Sequence, residues 1–151
     1  MRRLSVTTAI DAPAALVWQV LVDTERYGEW NPFITDFSGE LVAGRRLRVR
    51  IAPPGGRPMT FRPVVTEVEH GRRLAWLGRA GLPGIFDGAH SFTLTSRPEG
   101  GVDLTQGELF RGVLVPAMAT TLERTEAGFA AMNEALRGRA ESLARPGSLR
   151  P

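Results

Sequence analysis

Between Gly112 and Leu143 the larger apolar residues fall at Leu114, Met118, Leu122, Phe129, Met132, Leu136 and Leu143, with Thr125 in register. Steps of mostly three or four residues place them on one stripe of a helix. Pro116 suits the first turn of such a helix, where a missing N–H costs nothing, and Arg145-Pro146-Gly147 supplies a stop. No other segment is as long or as regular. A helix of roughly 28 residues measures about 40 Å at 1.5 Å per residue, so its apolar stripe needs a broad sheet to cover it. The rest of the chain is expected to supply that sheet.

Leu4, Val6, Thr8 and Ile10 alternate on one face of a first strand, which ends at Asp11-Ala12-Pro13. Pro13 opens a helix through about Asp23 that turns Leu16, Val17, Val20 and Leu21 to the core, with Trp18 on its flank. A short helical turn follows, and Asn31, preceding Pro32, is forced out of the helical region and into the sheet. Strands are expected over 34–41, 45–52, 59–69, 72–79, 88–97 and 101–111, separated by turn residues at Ala43-Gly44, Pro53 to Pro58, His70-Gly71 and Pro98 to Gly101. The expected architecture is α+β: a seven-stranded curved antiparallel sheet wrapped around the long C-terminal helix, with two short helices between strands one and two. Residues 1–144 are read as a single domain and 145–151 as a flexible tail. A concave sheet and a cylinder do not fit tightly along their whole length, so a cavity between them is the natural functional site.

Composition narrows the chemistry. Without cysteine there are no disulfides, thiolate metal sites or cysteine nucleophiles. All 19 basic residues are arginine, with acidic residues scattered among them, so nucleic acid is not an expected partner. Arg45, Arg46, Arg48 and Arg50 alternate with Leu47, Val49 and Ile51, the pattern of a solvated strand face over a buried one. No window approaches the ~20 apolar residues that span a bilayer, and the opening residues read as a strand instead of a signal peptide. No membrane insertion and a cytoplasmic location are expected. Gly81-Leu82-Pro83-Gly84 has no basic residue between its glycines and Gly55-Gly56 precedes no helix, so neither cradles a phosphate. No metal is expected, because the second histidine, His70, lies in a turn of another hairpin. No cofactor is expected either.

The polar pair of greatest interest is His90 and Glu108. A five-residue turn over Arg97 to Gly101 sets Leu94 opposite Leu104, Phe92 opposite Gln106 and His90 opposite Glu108, all with inward parity. A carboxylate beside an imidazole in an apolar concavity suits proton transfer or the orientation of a ligand, although the same pair also serves as a satisfied structural contact. Around it the expected ligand-binding residues are Trp30, Asn31, Phe33, Trp76, Phe92, Gln106 and Phe110 from the first part of the chain and the sheet. The helix is expected to add Met118, Leu122, Thr125 and Phe129. Leu82 and Phe86, in the Gly/Pro loop from Ala80, form an expected portal.

The run from Ile10 through Ala12-Pro13, Val17-Trp18 and Asp23 to Tyr27, Trp30-Asn31-Pro32 and Phe33 resembles the opening of the START-like, or SRPBCC, superfamily. Gly71 to Trp76, Phe86 to Phe92, Thr105-Gln106 to Phe110 and Gly128 to Leu136 continue the likeness, which is nearest to bacterial polyketide cyclase/dehydrase-like members. The resemblance implies a helix-grip fold over nearly the whole chain. The superfamily includes lipid carriers, hormone receptors, aromatic polyketide cyclases, oxygenase subunits and chaperone activators, so fold alone does not choose a function. The first expectation is a binding protein, monomer or homodimer, that sequesters a lipid, polyketide or isoprenoid. The alternatives are a cofactor-free cyclase or dehydratase using His90 or Glu108 for proton transfer, and a protein-interaction module.

Overall fold

The computed structural model describes residues 1–146. Strand β1 (Arg2–Ile10) leads into helix α1 (Ala14–Val22), a 3-10 turn (Thr24–Arg26) and the short α2 (Tyr27–Trp30). Strands β2 (Ile34–Ser38), β3 (Arg48–Ile51), β4 (Met59–Phe61), β5 (Val64–Glu69), β6 (Arg73–Arg79), β7 (Asp87–Ser96) and β8 (Val102–Arg111) follow, and α3 (Ala119–Ala144) closes the order. The proposed tail of 145–151 lies mostly outside the described residues.

The strands form two antiparallel sheets, β1-β8-β7-β6-β5 and β2-β3-β4, instead of one seven-stranded sheet. The cause lies at Pro63, in the middle of the expected strand 59–69. Proline has no N–H to give a ladder, so the strand breaks there into β4 and β5. The Pro63 carbonyl is not wasted: Leu47 N–H donates to it at 2.8 Å, and Val65 N–H donates to Arg45 at 2.8 Å. Residues 44–47 therefore run beside 63–65, while β3 pairs with β2, and the expected strand 45–52 changes partners along its length. The two sheets are joined through this crossing.

α3 spans 26 residues and begins at Ala119, later than the apolar stripe suggests. Gly112 takes φ +133°, in the left-handed region, and lies so close to the Ile85 carbonyl that a Cβ would stand 2.3 Å from that oxygen. The chain is turned sharply there. Pro116 then falls in a separate 3-10 turn (Val115–Ala117), and Leu114 is left 47% exposed. From Leu122 onward the stripe is as expected, with Leu122, Phe129, Met132 and Leu136 fully buried against the sheet and Thr125 beside them. Trp18, placed on the flank of α1 by its spacing, is buried instead, with its ring edge-on to His70 at 5.8 Å.

Two polar ties fix the helix over the sheet. Asn133 donates to the Val6 carbonyl at 3.1 Å and accepts from Gln106 at 2.9 Å, all within the core. At the surface, Arg139 meets Glu29 of α2 at 3.0 Å. Among the described residues no helix is long and apolar enough to cross a membrane.

Candidate functional site

A cavity of ≈ 80 Å³ lies where α3 diverges from the two sheets. Thr121 and Thr125 of α3 form one wall, and Ile34, Val49 and Ile51 of the small sheet form another. Met59, which is 38% exposed, and the half-buried Phe61 and Phe86 also line it. Trp76, His90, Glu108 and Phe110 project from the large sheet. Between these last groups the floor is bare, because Gly78 of β6 pairs with Gly88 of β7, and neither has a side chain to fill the space. Phe33 completes the lining beside α3, its ring edge-on to Phe129 at 5.6 Å.

His90 is 5% exposed and packed on three sides by aromatic rings. It stacks on Trp76 with 5.1 Å between centroids and only 7° between planes, and lies 4.8 Å from Phe92 and 5.0 Å from Phe129. The register of β7 and β8 sets His90 opposite Glu108, as the parity of Phe92, Leu94 and Leu104 requires. Nδ1 is 3.2 Å from Glu108 Oε2. A carboxylate only accepts, so Nδ1 carries the proton of this contact. The Glu108 side chain is 16% exposed.

The structure thus brings together His90, Glu108, Phe33, Trp76, Phe86, Phe110 and Thr125 around one space. The other expected ligand-binding residues sit elsewhere. Trp30 lines a surface groove with Leu16, Arg139 and Leu143, because α2 turns its ring away from the sheet and against Tyr27. Asn31 does not line the cavity: its Oδ1 accepts from Phe33 N–H at 3.0 Å and Ile34 N–H at 2.8 Å, shaping the turn into β2, while its Nδ2 is enclosed without a partner. Leu82 is 74% exposed at the loop tip and does not reach the cavity. Phe92, Leu122 and Phe129 are fully buried packing residues, Met118 lies at the start of α3 against the core, and Gln106 is held by Asn133.

Sequence reasoning missed Val49, Ile51, Met59, Phe61, Gly78 and Gly88 as cavity residues. Alternation puts Val49 and Ile51 inward, but only the break at Pro63 aims their sheet at the large one. For the glycines a signal was present, since glycine inside a strand marks a place where something else needs the room. Among the described residues no group of three or more His, Asp or Glu stands close enough together to hold a metal ion.

Two antiparallel sheets packed around a long C-terminal helix define an α+β fold of the helix-grip kind. The chain belongs to the family described as polyketide cyclase / dehydrase and lipid transport, whose model matches residues 1–145. Its fold is similar to that of the Zhui aromatase/cyclase from Streptomyces sp. R1128, at 19% identity and TM-score 0.78 over 96% of each chain. Protein MLL2253 from Mesorhizobium loti is 21% identical, with TM-score 0.71 over 91% of this chain and 95% of that one. The hypothetical protein jhp0584 from Helicobacter pylori is 17% identical, with TM-score 0.76 over 92% of this chain and 88% of the other. No curated protein matches the sequence.

Proposed function

We propose that this protein binds a hydrophobic small molecule, of the polyketide, lipid or isoprenoid class, in the cavity between its sheets and α3. The observation that carries the reading is a space lined largely by apolar side chains, Ile34, Val49, Ile51, Phe61 and Phe110 among them, around His90 and Glu108, with Arg79, Thr121 and Thr125 as its other polar groups. Such a site takes up an apolar body by the hydrophobic effect and orients it by a single polar contact. At ≈ 80 Å³ the space is smaller than the roughly 300–1,000 Å³ of drug-sized sites, so a larger ligand requires lining side chains to move, and the partly exposed Met59 and Phe86 are the ones with room to do so. The test is native mass spectrometry of freshly purified protein for a retained apolar molecule, with titration of the neutral dye prodan followed by tryptophan emission. Trp76 reports occupancy from the cavity wall. A protein that retains nothing and leaves prodan unbound refutes the reading and favours an interaction module.

A second reading, cofactor-free cyclisation, is favoured by the His90–Glu108 contact and by the likeness to an aromatase/cyclase. Glu108 would accept a proton from carbon alpha to a carbonyl while the C–H electron pair passes into the enolate. That enolate carbon bonds to a second carbonyl carbon of the same molecule, and the proton returns from Glu108 to the new alkoxide. Glu108→Gln separates the two readings. It abolishes turnover with binding retained if the protein is an enzyme, and alters only affinity for polar-headed ligands if it is a carrier.

A further inference from the structure

Resting on the reading that the cavity holds a ligand, we propose that Glu108 Oε1 is the atom that meets it, as a hydrogen-bond acceptor. His90 and Gly88 are then positioning residues, one for each carboxylate oxygen. Oε2 is committed to His90 Nδ1 at 3.2 Å. The other ring nitrogen, Nε2, is fully enclosed and has no partner, so nothing in the cavity touches it unless the surrounding aromatic rings move. Oε1 is different: it makes no hydrogen bond either, but it is not among the enclosed unpartnered atoms, and its side chain reaches the cavity. Of the free polar atoms of the pair, Oε1 is therefore the accessible one.

Gly88 is what lets Oε1 lie there. A Cβ on residue 88 would stand 2.2 Å from Oε1 and 3.2 Å from the carboxyl carbon, so any side chain would lift the carboxylate off the floor. Backbone conformation does not call for glycine at this position, since Gly88 is not among the positive-φ residues and lies within the ladder between Gly78 and Phe110. Glycine in a strand is otherwise unfavourable, so the missing side chain itself is the feature to explain. The carboxylate rests on this bare strip with one oxygen held from behind and the other facing the space.

Arg79, the cation of the lining, is paired with Asp87 at 3.6 Å, so Oε1 is the charged oxygen of the lining that is left to select a ligand by its donor. Molecules presenting an uncharged hydroxyl, phenol or enol satisfy it by donating to that oxygen. The expected ligand class is thus an apolar body with a neutral O–H donor.

Phenol and toluene, close in size and differing by that donor, are the probes, titrated by NMR on the Trp76 indole N–H. The wild-type preference for phenol should fall about tenfold in Gly88→Ala and in Glu108→Gln, the scale of one charge-assisted hydrogen bond. Toluene affinity should stay within about twofold in Glu108→Gln, which removes charge and not volume. In the double variant Gly88→Ala/Glu108→Asp the shorter carboxylate clears the added methyl, and most of the preference should return. This rescue separates a displaced carboxylate from a filled cavity. An unchanged preference in Gly88→Ala or Glu108→Gln, or no rescue by aspartate, overturns the assignment of Oε1 while leaving the cavity reading intact. Failure of both probes to bind the wild-type protein overturns the cavity reading and this inference together.

Discussion

Gly128 lies in the interior of α3, where alanine would ordinarily stabilise the helix by about 1 kcal/mol. Here the gain should be reversed. A Cβ at residue 128 would stand 2.3 Å from Phe33 Cδ2 and 2.6 Å from Cε2. Carbon atoms pack comfortably at about 3.5 Å or more, so the overlap with Cδ2 is about 3.5 − 2.3 = 1.2 Å. Phe33 is 2% exposed and abuts Phe129, which leaves the cavity as the direction in which its ring can yield. Overpacking of this kind costs about 1–3 kcal/mol, and after the helix-propensity gain a net loss of about 1 kcal/mol is expected for Gly128→Ala. For a domain of this length that is a fall in Tm of about 2–4 °C. Urea denaturation measures the first quantity and a thermal scan the second, while prodan titration should show weakened binding as Phe33 enters the cavity. Phe33→Leu in the Gly128→Ala background should recover stability. A Gly128→Ala protein that is more stable than wild type and binds equally well would refute the argument.

Phe129→Ala should cost about 3–5 kcal/mol in denaturant unfolding, because the ring is fully buried under the sheet; a cost near zero would show that its surroundings are not packed. Tyr27 gives a pH signature. Burial, and secondarily the charge of Asp23, raise its phenol far above the ordinary range, and its hydroxyl donates to the Leu21 carbonyl. Above about pH 10 the unfolded chain releases this proton while the folded chain keeps it, so stability is fully present below that pH and falls as pH rises, by up to about 1.4 kcal/mol per unit. With one tyrosine and no lysine or cysteine in the chain, the slope is readily assigned, and it should flatten in Tyr27→Phe. An equal slope in that variant would place its origin elsewhere.

What the sequence determined by itself was most of what depends on local period and parity, although spacing misplaced Trp18 and began the long helix too early. The stripe of Leu122, Phe129, Met132 and Leu136 follows from a repeat of 3.6, and the facing of His90 and Glu108 from a repeat of two, since a slip of one residue would expose Phe92, Leu94 and Leu104. The close contact at Gly128 was legible because glycine is unfavourable inside a helix and something must need the space.

The tertiary structure decided where those faces meet. Trp30 has the character of a pocket residue, yet the direction in which α2 enters β2 carries it to another surface. Asn31 looks available for a ligand, yet its oxygen is taken by the turn it stabilises and the side chain lies off the cavity. One proline, Pro63, parts the sheet, and the partner exchange of 44–51 that follows brings Val49, Ile51, Met59 and Phe61 around the space. The cavity itself is a gap between elements that diverge, bounded by residues distant in the chain and floored by Gly78 and Gly88, which contribute no side chain. Periodicity reports which way a side chain points from its own backbone. It carries no information on how far away the opposing element stands, and that distance, set by the packing of all the elements together, is what leaves room for a ligand.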